Sequence, residues 1–260
     1  MISLWRLAFR GSLVLALFAA GLLLTVLGFA AFDALYRQRA VPIKREWQRR
    51  WISTFCWAIN LKIEHHGTPI AGALMVSNHI SWLDIAVLGS LVPGSFVSKH
   101  EVAAWPIVGI MGRRVETLFI HRQDRGHARQ IAEQMVWRLK QRQTLIVFPE
   151  GTTTSGREVL KFGSALLQAA CYAQAPIQPV ALQYLGASAT FAPFIGDDAF
   201  VPHLFTILKA PETRARLTFC APLPQELANA RRAAADCCRQ QIIETLGLIE
   251  QESQYRVATA

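Results

Sequence analysis

Two short stretches hold residue types able to move a proton or grip an anion. In Asn78-His79-Ile80-Ser81-Trp82-Leu83-Asp84 the histidine follows the apolar run Ala73 to Ser77, so it is expected at a strand end with the aspartate in the first turn of the next helix. At that spacing the carboxylate can fold back on the imidazole. If Asp84 accepts a hydrogen bond from one ring nitrogen, the other is left unprotonated and can take a proton from a hydroxyl. Asp84 also suits a helix start, where its charge meets the dipole. The second stretch, Phe148-Pro149-Glu150-Gly151-Thr152-Thr153-Thr154-Ser155-Gly156, again follows a strand. Pro and Gly make a turn there, and the hydroxyls offer donors to an anionic group. A cap or ion-pair role fits Glu150 as well. Gly151 and Gly156 have the separation of a nucleotide phosphate loop, but Arg157 and Glu158 stand where that motif needs Lys and then Ser or Thr.

The elements that must position these residues alternate. Short β-branched or aromatic runs predict strands at Lys62 to His65, Ala73 to Ser77, Ser95 to Ser98, Thr117 to His121, Thr144 to Phe148, Ile177 to Tyr184 and Arg214 to Cys220. Helical periodicity predicts helices at Ser81 to Leu91, Arg125 to Arg142, Lys161 to Ala173, and Gln225 to about Leu246. Pro193, Gly196 and Pro202 mark an irregular insertion near Ala192 to Leu208, whose Phe191, Phe194, Phe200 and Phe205 suit either core or membrane contact. The expected fold class is α/β, a mixed, largely parallel sheet flanked by helices, with functional residues in loops at the carboxyl ends of strands.

The chain has 260 residues, a formal net charge of +9 and a hydrophobic fraction of 52%, which excludes disorder over most of its length. Nine basic and two acidic residues lie between Met1 and Lys62, so that stretch carries most of the excess. Within it, Gly11 to Phe32 is uncharged and long enough to cross about 30 Å of hydrocarbon as a helix. A cleaved signal peptide is the alternative, although the apolar run exceeds the usual 7–15 residues or so. Trp47, Trp51, Phe55 and Trp57 then suggest a second helix lying in the interface. Residues 1–61 are thus expected to be a membrane anchor, spanning or dipping into one leaflet, and residues 62–260 the α/β domain. No recognition motif accompanies the basic cluster, which argues against a nucleic-acid partner.

Taken together, the blocks resemble the glycerolipid acyltransferases: Asn78-His79-x-Ser81-x-x-Asp84, Phe119-Ile120-His121-Arg122, Phe148-Pro149-Glu150-Gly151-Thr152 and Ile177-Gln178-Pro179-Val180, in that order. The resemblance spans roughly Leu61 to Tyr184 and looks most like the 1-acyl-sn-glycerol-3-phosphate acyltransferases. It implies that His79 and Asp84 are the catalytic dyad and that Arg122, Glu150 and Gly151 bind the acceptor. Asn78, Ser81, Thr152 and Thr153 would line the same substrate site, and Pro179 would lie on the acyl-donor side. Acyl-CoA or acyl carrier protein would be co-substrate, with no cofactor and no metal, and membrane lipids would be partners. In a bacterium the catalytic domain would face the cytoplasm from the inner membrane.

One departure bears on the acceptor. Many family members that make phosphatidic acid have Arg after Glu-Gly-Thr; this chain has Thr153, as do relatives that acylate other lysolipids, including lyso-ornithine lipid. Lys99, Arg113, Arg114 and Arg157 are the cations available to substitute. A serine hydrolase is disfavoured by the lack of a Gly-x-Ser-x-Gly elbow, and a zinc site by the lack of Cys-x-x-Cys spacing among five scattered cysteines. A membrane-anchored binding protein with a dead site is the reading of a different class, and the intact dyad argues against it.

Overall fold

The structure is a computed structural model, and it describes residues 2–29, 40–104, 108–121 and 123–248. Arg122 and most of the segment between the first two helices lie outside the described residues. In chain order the helices and strands are α1 (Ile2–Leu23, continuing as a π turn over Leu24–Gly28), α2 (Ala40–Ala58), β1 (Leu61–His66), β2 (Leu74–Ser77), α3 (Leu83–Leu91) and β3 (Ser95–Lys99). A 3-10 turn at His100–Ala104 leads to α4 (Val108–Arg114), β4 (Leu118–Ile120), α5 (Arg125–Lys140), β5 (Leu145–Val147), α6 (Gln168–Ala173) and β6 (Ile177–Tyr184). The chain finishes with α7 (Ser188–Phe191), α8 (Phe200–Lys209), β7 (Thr213–Phe219), α9 (Gln225–Ala228) and α10 (Arg231–Leu246).

The seven strands form one sheet in the order β1-β7-β6-β2-β5-β3-β4. Every pairing is parallel except β6 with β7. The expected mixed, largely parallel sheet is therefore present, and all seven expected strands appear within two residues of their predicted ends. Central strands such as β2 and β5 are apolar and buried along their whole length, because helices cover both faces. Alternate residues of β2 divide between two cores: Met75 faces the side covered by α2 and α3, while Leu74 and Val76 face the side covered by α5, α6 and α10. Each fully buried Leu, Ile or Met there contributes roughly 1.5–3 kcal/mol.

Three expectations about helices are corrected. Lys161 to Ser164 is not helical: the Gly163 N–H bonds the Pro149 carbonyl at 2.9 Å and the Leu160 N–H just before it bonds the Glu150 carboxylate at 2.9 Å, which ties this stretch to the loop after β5. The C-terminal helix is two pieces, α9 and α10. The supposed irregular insertion holds a helix, α8, because Pro202 falls in its first turn, where a missing N–H costs nothing.

The N-terminal helices are built into the same core. Val14 of α1 and Ile52, Phe55, Cys56 and Ala58 of α2 are buried with Leu83, Val87 and Leu88 of α3. Arg10 donates to the carbonyls of Leu208 at 3.2 Å, Ala210 at 2.7 Å and Pro211 at 2.9 Å, satisfying the carboxyl end of α8. The Trp51 indole N–H bonds the Leu17 carbonyl at 3.0 Å. Gly21 is required by this approach, since a Cβ there would meet Trp51 Nε1 at 2.6 Å. The helix Ile2–Gly28 is long and apolar enough to cross a membrane. Its outward side shows Leu4, Trp5, Phe9, Leu15, Leu23 and Leu27, joined by Trp47 and Trp57 of α2. Part of the basic cluster is spent inside the protein: Arg45 is buried against the Val115 carbonyl and Glu116, and Arg49 pairs with Glu46.

Candidate active site

The chain leaves β5 on one side of β2 and next enters the sheet as β6 on its other side, which opens a crevice at the carboxyl end of β2. His79 sits there, two residues past Ser77, the last residue of β2. Its Nδ1 lies 2.8 Å from Asp84 Oδ2 in the first turn of α3. The same Oδ2 accepts the N–H groups of Ile80 at 2.6 Å and Ser81 at 2.9 Å, so Asp84 both caps the turn and orients the ring. Asp84 is fully buried, whereas the His79 side chain keeps 19% of its surface. A carboxylate on Nδ1 fixes the tautomer with Nδ1 protonated and leaves Nε2 as the basic nitrogen. The imidazole stacks on Phe148, with ring centroids 4.1 Å apart and planes 16° from parallel.

The loop after β5 holds His79 by its main chain. Glu150 Oε1 accepts the His79 N–H at 2.7 Å, and the Thr154 N–H donates to the His79 carbonyl at 2.9 Å. Glu150 Oε2 is taken by the Leu160 N–H, so both carboxylate oxygens serve the backbone. Burial pushes the Glu150 carboxyl up to about 7 against the opposing pull of those two donors. Gly151 has φ +77°, a left-handed turn that a side chain would strain.

Four residues expected at the substrate site have side chains buried or engaged within the protein. Asn78 is fully buried and ties β2 to β6: its amide donates to the Leu182 carbonyl at 2.9 Å and its oxygen accepts the Leu182 N–H at 2.8 Å. Ser81 is fully buried beneath the turn. Pro179 is buried in β6, paired with Val76 and far from the strand's carboxyl end, where loops reach substrate. Glu150 has no oxygen left over. Gly151, Thr152 and Thr153 border the crevice; Thr152 is exposed, while the Thr153 hydroxyl donates to the Phe194 carbonyl.

Sequence reasoning missed several contributors. The segment between β6 and β7 is bolted to the histidine turn: the Phe194 N–H bonds the Ile80 carbonyl at 3.0 Å, and Trp82 Nε1 donates to His203 Nδ1 at 3.0 Å. His203 Nε2 in turn reaches the Pro193 carbonyl at 3.1 Å. Tyr184, at the end of β6, donates its hydroxyl to Asp84 Oδ1 at 2.7 Å. A polar aromatic closing a largely buried strand was the available signal. Among the expected substitutes for an acceptor-binding arginine, Lys99, Arg113, Arg114 and Arg157 are all exposed, and Arg113 donates to the Ala103 carbonyl.

Comparisons with known proteins identify the family. Residues 58–183 match the family model described as Acyltransferase, a span holding His79, Asp84 and the loop after β5. A lyso-ornithine lipid O-acyltransferase from Pseudomonas aeruginosa is 36% identical over 229 residues, covering 85% of this chain and 86% of that protein. A 1-acyl-sn-glycerol-3-phosphate acyltransferase from Neisseria meningitidis is 32% identical over 173 residues, 66% of this chain and 68% of that one. The crystal structure of the 1-acyl-sn-glycerophosphate acyltransferase PlsC from Thermotoga maritima superposes with a TM-score of 0.62, covering 96% of this chain and all of that chain at 20% identity, and so has the same fold. With the dyad, its buttressing loop and the sheet all in place, the chain belongs to the glycerolipid acyltransferase family.

Proposed function

We propose that the protein moves a fatty acyl group from the thioester of acyl-CoA or acyl carrier protein to the free hydroxyl of a lysolipid, with 1-acyl-sn-glycerol-3-phosphate as acceptor and phosphatidic acid as product. The observation that carries the reaction is the 2.8 Å contact of His79 Nδ1 with Asp84, which leaves Nε2 free toward the crevice. Nε2 takes the hydroxyl proton as the oxygen attacks the thioester carbonyl. The C–S bond breaks, and the departing thiolate takes that proton back from the imidazolium. No acyl-enzyme is required. Arg122, by the family resemblance, meets the acceptor headgroup. Exposed cations, among them Lys99 at the end of β3 and Arg157 in the loop after β5, favour a phosphate-bearing acceptor.

The exposed apolar side of α1 and the tryptophans of α2 associate the protein with a membrane. We place the crevice on the cytoplasmic side, where acyl donors are made. Membrane association should survive high-salt washing, because apolar burial is not screened.

One observation favours a second acceptor, lyso-ornithine lipid. The position after Glu-Gly-Thr carries a hydroxyl committed to Phe194 rather than a guanidinium, and the Pseudomonas relative named for that acceptor aligns over 85% of this chain. The test is purified protein in matched vesicles, offered each lysolipid with the same acyl donor. Faster acylation of lysophosphatidic acid supports the first acceptor; much faster acylation of lyso-ornithine lipid replaces it. No turnover of any lysolipid would favour a binding protein.

A further inference from the structure

The Asp84 carboxylate is surrounded unevenly. Oδ2 receives three donors, from His79 Nδ1 and the N–H groups of Ile80 and Ser81, all from the turn between β2 and α3. Oδ1 receives one, the Tyr184 hydroxyl at 2.7 Å, from a residue 100 positions later at the carboxyl end of β6. Asp84 is fully buried, so without Tyr184 one oxygen of a charged group would have no hydrogen-bond partner among the described residues. Tyr184 is itself buried, and its phenol is held in the protonated, donating form by burial first and then by the adjacent Asp84 charge. The Ser81 hydroxyl is buried close enough to bias the phenol, although its geometry falls short of a hydrogen bond.

We infer that Tyr184 is a positioning residue for acyl transfer, locking the Asp84 carboxylate against rotation and drawing off part of its charge so that His79 stays oriented. The two oxygens are tied from opposite directions, Oδ2 by the local turn and Oδ1 by the neighbouring strand. The carboxylate plane therefore cannot turn without breaking a charge-assisted bond. A carboxylate stripped of the Oδ1 donor concentrates its charge on the His79 side and favours the imidazolium, which cannot act as a base. The other titratable groups near the dyad are Glu150, which accepts the His79 N–H from the loop after β5, and Cys56 of α2, a thiol that burial keeps neutral. They are common to the proteins compared below, so a difference isolates the phenol. This role rests on His79 being the base.

Tyr184→Phe keeps the ring and its packing and removes only the donor. The expected result is a fall in kcat of roughly tenfold, smaller than the loss from removing the base itself, with KM for lysolipid and acyl donor within about twofold. The acidic limb of the pH profile should move upward by about half a unit, because protonation of His79 is favoured. In an Asp84→Ala background the same substitution should change nothing further, since Tyr184 acts only through that carboxylate. An unshifted limb with near-normal kcat, or a full further loss in the Asp84→Ala background, overturns the inference. If Tyr184→Phe does not fold, 3-fluorotyrosine at 184 replaces it: a stronger donor should move the acidic limb downward, and an unmoved limb overturns the role. His79→Ala tests the base separately. Lost activity there beside an unaffected Tyr184→Phe removes the role of Tyr184 alone.

Discussion

The Glu150 carboxylate accepts the main-chain N–H of His79 at 2.7 Å. A residue expected to bind the acceptor thus holds the His79 main chain in place, while its other oxygen closes the loop on Leu160. His79 is fixed at three points: its ring by Asp84, its N–H by Glu150 and its carbonyl by Thr154.

Glu150 makes stability depend on pH. Its folded value, about 7, lies above the ordinary carboxyl value, so the native state holds the proton more tightly than the unfolded state. The resulting stabilisation is complete below about pH 4.5 and is lost as the pH rises through about 7, with an upper bound of about 3 kcal/mol. Urea midpoints should fall between pH 5 and pH 8, and Glu150→Gln should flatten that dependence. Because an amide nitrogen cannot accept the N–H left to it, Glu150→Gln should also slow turnover at least about tenfold at pH 7.

His79→Ala should lower acyl transfer by about a hundredfold or more while thermal unfolding stays close to that of the parent, since general-base catalysis is worth roughly 10²–10⁴. Asp84→Asn should be severely impaired, because an amide no longer holds the tautomer. Near-normal turnover in folded His79→Ala protein would refute the mechanism.

Thr153→Arg tests the acceptor. The substitution removes the hydroxyl bond to Phe194 and offers a guanidinium in its place. If the acceptor phosphate lies nearby, the ratio of kcat/KM for lysophosphatidic acid over lyso-ornithine lipid should rise severalfold. An unchanged ratio places the headgroup elsewhere.

Arg10→Ala should leave the protein on membranes after salt washing but lower its unfolding temperature in detergent, with a cost of about 1 kcal/mol, because water can reach the carbonyls left unpaired. Deleting residues 2–58 should yield aggregated rather than soluble protein, because Val14, Ile52 and Phe55 leave the core and uncover Leu83 and Val87. A monodisperse, folded truncation would show instead that the two N-terminal helices are a separable anchor.

The dyad was legible in the sequence because strand, turn and helix lie within one short stretch, and the spacing from His79 to Asp84 already carries the geometry. The strands were legible from their short β-branched or aromatic runs. The supporting residues were not. Asn78 finds its partner at Leu182, Glu150 at His79 and Tyr184 at Asp84, across sequence separations of 104, 71 and 100 residues that leave no local pattern. Lys161 to Ser164 read as a helix because its side chains permit one; the bonds that tie Leu160 and Gly163 to Glu150 and Pro149 are tertiary. Pro202 misled for the opposite reason: a breaker in the middle of a helix is harmless at its start.

The bond from Arg10 to Pro211 joins residues 201 positions apart, and that separation sets a schedule for biosynthesis. At about 5–20 residues per second, roughly 10–40 seconds pass between the synthesis of α1 and that of the carbonyls that receive its arginine. During that interval a helix bearing Trp5, Phe9 and Leu15 has no protein partner for its guanidinium. On the proposed membrane reading, a bilayer that takes up α1 during this interval does so before β6 and β7 exist, so mooring precedes completion of the crevice.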